Sequence, residues 1–194
     1  MIRVFLFIFC SCAIVANAQT VGWFYSYAGA ADGYVLFTPN ESDSTYLLDK
    51  CGKRIHEWGS TYNPGLSVYL LKDGTLLRCG DANNNQFMGG GRGGILEEFD
   101  WNSNKLWSYV ISDANQCQHH DAIHLPNGNI LAIAWEYHTK ADAQDNGRVS
   151  LGTKMWSDKI VEIQPIGADS GTVVWQWRAW DHLVQDVDST KINY

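Results

Sequence analysis

The stretch QHHDAIHLPNGNILAIAW, Gln118 to Trp135, decides how the chain is read. It opens on a polar cluster, His119-His120-Asp121. An apolar run from Ala122 to Leu125 follows, then Pro126-Asn127-Gly128-Asn129, then a second apolar run from Ile130 to Trp135. Proline fixes its own φ and Asn-Gly tolerates positive φ, so the middle is a turn. Two β-rich runs joined by such a turn read as a hairpin. The polar cluster then sits at the mouth of a strand held by that hairpin.

The hairpin repeats. Leu71-Lys72-Asp73-Gly74-Thr75-Leu76-Leu77 matches Leu125 to Leu131, and the offset between Gly74 and Gly128 is 54 residues. Glu98-Phe99-Asp100 matches Glu162-Ile163-Gln164, with Tyr46 to Asp49 in the same slot earlier. Trp58, Trp107 and Trp175 each mark the last strand of a group. The unit is therefore an inner hairpin, a loop of variable length and an outer hairpin ending in tryptophan. Four-stranded units of about 40 to 55 residues with a recurrent aromatic are the pattern of β-propeller blades. One such sheet cannot bury both faces, so neighbours must stack, with the tryptophans filling the gaps. The expected fold is all-β, an incomplete β-propeller. It has the outer part of one blade (Tyr34 to Trp58) and two full blades (Ser67 to Val110 and Asp121 to Arg178), about two and a half in all. A closed propeller needs at least four, so the chain reads as part of a longer protein or as one that assembles to close. A β-sandwich is the alternative, but sandwiches seldom repeat turn and tryptophan positions together.

Composition agrees. Nine Trp, nine Tyr and 18 Gly against four Pro favour strands and tight turns, and no window shows a sustained helical period. The 14 Lys and Arg against 21 Asp and Glu give a net charge of -7, which argues against nucleic acid or an anionic membrane as partner. Met1 to Ala18 reads as a secretory signal: Arg3, then apolar Val4 to Ala16, then the Ala16-Asn17-Ala18 cleavage site before Gln19. The mature domain is then 19–194, secreted or periplasmic, with no membrane contact after cleavage. Cys51, Cys79 and Cys117 remain, and an oxidising compartment would allow one disulfide and one free thiol.

The ordered set HHD-x4-LPNGN-x-L, CGKRIHEW at Cys51–Trp58, DGTLL at Asp73–Leu77 and WQWRAWDHL at Trp175–Leu183 resembles the secreted bacterial aryl-sulfate sulfotransferases over about Gly33 to Tyr194. The resemblance implies a six-bladed propeller with its active site in the central channel. It implies transfer of a sulfuryl group from an aryl sulfate to a phenol through a histidine intermediate, with no nucleotide donor or other cofactor. The partners it implies are small aryl sulfates and phenols. By motif, His119 and His120 match the histidine pair of that site, with His120 the first choice. The family's H-x-N segment, its arginine and the sulfuryl-accepting histidine lie further along, and no counterpart precedes Tyr194.

The residue types suit that chemistry. Sulfuryl transfer, like phosphoryl transfer, needs charge on the equatorial oxygens stabilised and the reacting oxygens aligned. Histidine serves as base, acid or nucleophile near neutral pH, and Asp121 is placed to orient a ring. Adjacent strand residues point to opposite faces, so His119 and His120 share a side only if the strand is irregular at His120. On a regular strand His124 would lie on the His120 face as a wall residue. A metal bound by His119, His120, Asp121 and His124 meets the same divergence, and no metal site is expected. Gly89 to Gly94, with Arg92 inside it, reads as a mobile surface loop. Trp180-Asp181-His182 reads as an Asp-capped turn with a stacking tryptophan, and His56 and His138 as surface or loop residues. A non-catalytic secreted propeller that binds a ligand or partner is the competing functional reading, since fold does not fix function.

Overall fold

The computed structural model describes residue 27 and residues 29–194, so the signal segment expected at 1–18 lies outside the described residues. The chain divides into two compact units, Met1–Ala31 and Asp32–Tyr194, and every strand lies in the second. Strands β1 (Tyr34–Phe37), β2 (Ser44–Asp49) and β3 (Arg54–Gly59) form the first sheet. Strands β4 (Pro64–Leu70), β5 (Leu76–Asp81), β6 (Gly94–Phe99) and β7 (Lys105–Val110) form the second. Strands β8 (Gln116–His124), β9 (Ile130–Thr139), β10 (Lys154–Ile166) and β11 (Ser170–Arg178) form the third. Each sheet is an antiparallel meander in chain order, and none is closed. The protein is all-β in these sheets, with the grouping that the repeat implied.

The repeat is physical as well as textual. In both inner hairpins the turn leucine and glycine do the same work: Gly74 N–H donates to Leu71 O at 3.0 Å, and Gly128 N–H donates to Leu125 O at 3.0 Å. The glycines stand at φ +90° and +84°, where a side chain would be strained. The outer turns match too. Asp49 Oδ1 accepts from the Cys51 and Lys53 amides, and Asp100 Oδ1 from those of Asn102 and Asn104. Such aspartate-bonded turns fix hairpin register locally.

Tryptophan joins one sheet to the next. Trp58 is 1% exposed and donates its indole N–H to Asp100 O, at the outer turn of the second sheet, at 3.0 Å. Trp107 is 2% exposed and donates to Ser170 O, in the outer hairpin of the third sheet, at 2.7 Å. Leu47, Trp58, Leu76 and Phe99 fill the first gap. Leu77, Cys79, Leu96, Trp107, Ala132 and Val161 are among those filling the second. The first gap also encloses an ion pair, Arg78 Nη1 to Glu97 Oε2 at 2.9 Å, both side chains 1% exposed. Arg78 Nη2 donates to Tyr62 O at 2.6 Å, tying the inter-sheet loop to the pair.

Several expectations need correction. The variable loop of the third group, Tyr137 to Ser157, is mostly structured. Strand β9 runs on to Thr139, helix α1 spans Lys140–Asp145, and β10 starts at Lys154. Helix α1 begins in a capping box, the Thr139 side chain on the Asp142 amide and the Asp142 side chain on the Thr139 amide. Cys51, Cys79 and Cys117 are all free thiols, so the disulfide the sequence allowed is not formed among them. Trp180-Asp181-His182 lies in a short 3-10 helix, Ala179–His182, with Trp180 stacked on His138 at 3.5 Å. Its Asp181 holds Arg178 at 3.3 Å rather than capping the turn. Among the described residues no helix is long and apolar enough to cross a membrane.

Replacing Trp107 with alanine removes both a packed ring and a buried hydrogen bond. Trp107→Ala should lower stability by about 3–5 kcal/mol. Trp107→Phe, which keeps a ring but leaves Ser170 O without its donor, should cost about 1–3 kcal/mol. Urea titration followed by far-ultraviolet circular dichroism measures both.

Candidate active site

Strand β8 does not begin after the polar cluster; it runs through it. Gln118 pairs with Ala134 and Ala122 with Ala132, so His119, His120 and Asp121 together face one residue of β9. This bulge sets His120 at φ +55°, a left-handed conformation that few non-glycine residues adopt. Such a conformation costs about 1–3 kcal/mol and persists only where the surroundings enforce it.

The surroundings do so with backbone bonds. His120 N–H donates to Gly91 O at 2.7 Å, and Gly93 N–H to Gln118 O at 3.0 Å. The buried Gln118 amide donates to Asp121 O at 3.3 Å, and its oxygen accepts from Gly94 N–H at 3.0 Å. The glycine-rich loop is therefore a pinned strap, not the mobile segment its composition suggested. Its lack of side chains lets it approach. A Cβ on Gly91 would collide with the His120 ring, and one on Gly89 would lie 2.8 Å from the Trp135 ring. Arg92 forms an isolated bridge with His119, and its guanidinium is clamped on Asp81 at 2.8 and 2.6 Å.

The bulge puts the two imidazoles on one side. Their Nδ1 atoms are 2.8 Å apart and the rings stand edge to face at 86°. Regular alternation would have separated them. His119 is buried and stacks on Trp135, centroids 4.2 Å apart, while His120 is exposed. Phe87 and Trp156 complete an aromatic bed around Trp135. On its far edge, His119 Nε2 lies 3.2 Å from Asp158 Oδ1 of β10. That contact lies at ion-pair distance but is not aligned as a hydrogen bond. Burial pushes the His119 pKa down to about 4, against the opposing pull of Asp158.

The nearby carboxylate favours one tautomer of neutral His119 electrostatically: a proton on Nε2, toward Asp158, leaves Nδ1 as an acceptor. His120 Nδ1–H then donates to it. In neutral His120 the remaining nitrogen, Nε2, keeps a lone pair for chemistry. Asp158, His119 and His120 thus lie in sequence, with the His119–His120 link at hydrogen-bond geometry and Asp158 at ion-pair distance.

Asp121 lies beside the pair but does not orient a ring, as the sequence had suggested. Its carboxylate accepts the Tyr69 hydroxyl of β4 at 3.0 and 3.2 Å and the Ala122 amide at 2.9 Å. The Tyr69 pKa is raised by burial and by that carboxylate. The carboxylate that faces His119 is Asp158, which sequence reading missed because only strand register, Asp158 opposite Trp135, brings it to the pair. His124 pairs through Nε2 with Glu98 of the second sheet, as a wall residue would. His138 is 6% exposed and bonded to Ser157 Oγ at 2.7 Å, and His56 stacks on Trp101 at 4.3 Å. His138 is therefore interior, whereas His56 is half-buried on its strand. Among the described residues no cluster of three or more His, Cys, Asp or Glu could hold a metal.

The buried, neutral His119 makes stability depend on pH. Unfolded, it titrates near 6.5; folded, near 4. Between these values the unfolded state binds the extra proton, so folding is favoured at higher pH. The contribution is complete above pH 6.5 and falls away toward pH 4, by as much as ~3 kcal/mol. His138, also depressed by burial, acts in the same direction. Denaturant midpoints taken across pH 7 to 4 should fall less steeply in His119→Gln than in the parent.

The Arylsulfotransferase (ASST) family model matches residues 28–193. Among curated proteins none matches the sequence. Arylsulfotransferase activity is what membership of that family suggests, with small aryl compounds as substrates. A match over nearly the whole chain, on a set of sheets whose repeat carries the histidine pair, means that the chain belongs to the arylsulfotransferase family.

Proposed function

We propose that the protein acts in nucleotide-independent transfer of a sulfuryl group from an aryl sulfate to a phenol, by way of a histidine-bound sulfuryl group, with His120 at the reacting centre. The single observation that carries this is the bulge, which exposes the His120 ring while holding its Nδ1 2.8 Å from His119. His120 Nε2 takes the proton of the attacking phenol as its oxygen bonds to sulfur and the bond from sulfur to the carrying histidine's nitrogen breaks, returning that electron pair to the ring, or it holds a sulfuryl oxygen when protonated. His119 fixes the tautomer through Nδ1. Asp121 supports the site from β4 and β8 by fixing Tyr69. No metal or other cofactor enters this reading.

We further read the three sheets as blades of a propeller in domain 19–194, with the inner strands β4 and β8 toward the channel. The row Leu77–Glu98–Trp107 is covered by the third sheet. The same row of the third sheet, Leu131–Glu162–Trp175, leaves Trp175 48% exposed, the surface that a following blade would cover. Secretion or a periplasmic location follows from the signal read at 1–18, and places the site among extracytoplasmic aryl compounds.

Release of 4-nitrophenolate from 4-nitrophenyl sulfate in the presence of phenol tests the assignment. His120→Ala should lower the rate by about 10²- to 10⁴-fold, with His119→Ala also impaired. Equal rates for the parent and His120→Ala would remove His120 from the mechanism.

A further inference from the structure

The bulge at His120 has a twin. In β4, Pro64 pairs with Gly80 and Val68 with Arg78, so Gly65, Leu66 and Ser67 face one residue of β5. Leu66 stands at φ +84°. It precedes His120 by the same 54 residues that separate Gly74 from Gly128. Equivalent strands therefore each hold one residue in a left-handed conformation at the same level, and the two strands touch through Tyr69 and Asp121. A bulky aliphatic side chain in this conformation is a rarer event than a histidine, and enforced outliers gather where ligands bind.

Leu66 is 54% exposed and faces a depression of about 320 Å³ that it shares with Pro64, Asp81, Met88, Gly89, Gly91 and Arg92. Met88 is 76% exposed. Gly91, the residue on which the His120 ring rests, belongs to the same wall. Depression and imidazole are thus neighbours across one glycine. Arg92 spends four of its five N–H groups on Asp81, Asn83 and Asn84, so its charge is matched by Asp81 and its face, with one Nη1–H, remains for a ligand. A guanidinium face, a thioether and a leucine suit an aromatic ring, and the Asp81 carboxylate paired with Arg92 in the same wall disfavours an anion. The space is ample, since benzene fits an apolar cavity of about 150 Å³.

We propose that Leu66 and Met88 form the subsite that receives the aromatic ring of the phenol or aryl sulfate, so that they set which aryl groups reach His120. This rests on the reading of His120 given above, but binding tests it without turnover. Calorimetric titration with 4-nitrophenol compares the parent with Leu66→Asn and Met88→Ala. Asparagine adopts positive φ more readily than leucine, so Leu66→Asn keeps the bulge while removing the apolar contact. Unchanged circular dichroism and thermal midpoint confirm that it folds. Each variant should bind 4-nitrophenol about five- to tenfold more weakly. Equal affinity in parent and variants, or no binding by the parent, overturns the subsite. His120→Ala separates the two claims: loss of transfer with 4-nitrophenol binding retained supports both, whereas undiminished transfer defeats the role of His120 and leaves the titrations to decide the subsite.

Discussion

Three open sheets cannot each bury two faces, and the structure depends on how that is solved. A tryptophan on the last strand of one sheet crosses the gap and donates its indole N–H to a backbone carbonyl in the outer hairpin of the next. The ring supplies apolar burial and the N–H supplies direction, so the sheets are both glued and set in register. With the outer strands fixed in this way, the inner strands β4 and β8 are brought side by side, where Tyr69 reaches Asp121. The candidate site exists because that spacing exists.

On this scaffold the chemistry is arranged by a departure from regularity. A flat β8 would send His119 and His120 to opposite faces. Three residues set against one of β9 turn both rings to the same side, and a strap of glycines accepts and donates the backbone bonds that the bulge frees. The environment then divides their roles. His119 is buried on Trp135 beside Asp158 and stays neutral; His120 is exposed. The twin bulge at Leu66 indicates that the irregularity belongs to the architecture, with each copy presenting a different side chain. One position carries an imidazole and the other an apolar wall.

The sequence made the sheets legible because turns are local. Asp-Gly and Asn-Gly at matched spacing, and tryptophans at the ends of groups, marked out the three groups of strands, although β8 begins at Gln116, ahead of the polar cluster, and β10 already at Lys154. The bulge was not legible, because His-His-Asp is polar and reads as the mouth of a strand rather than its middle. The glycine-rich loop was misread for a related reason: composition reports freedom in the unfolded chain, not the close approach to His120 and Trp135 that glycine permits once folded. Two signals were present and passed over. Thr139 and Asp142 spell a capping box. Ile130, Ala132 and Ala134 set the strand's inward side, and His138 falls on the same side in period two, beyond the half-buried Glu136.

The central claim is that a carboxylate, a buried imidazole and an exposed imidazole share one proton arrangement enforced by the bulge. NMR of the histidine ring nitrogens during a pH titration reads it directly. The account predicts that His119 remains neutral, with its proton on Nε2, until the pH nears about 4, and that neutral His120 carries its proton on Nδ1. A His119 that becomes protonated near pH 6.5, or that holds its proton on Nδ1 at neutral pH, would contradict it.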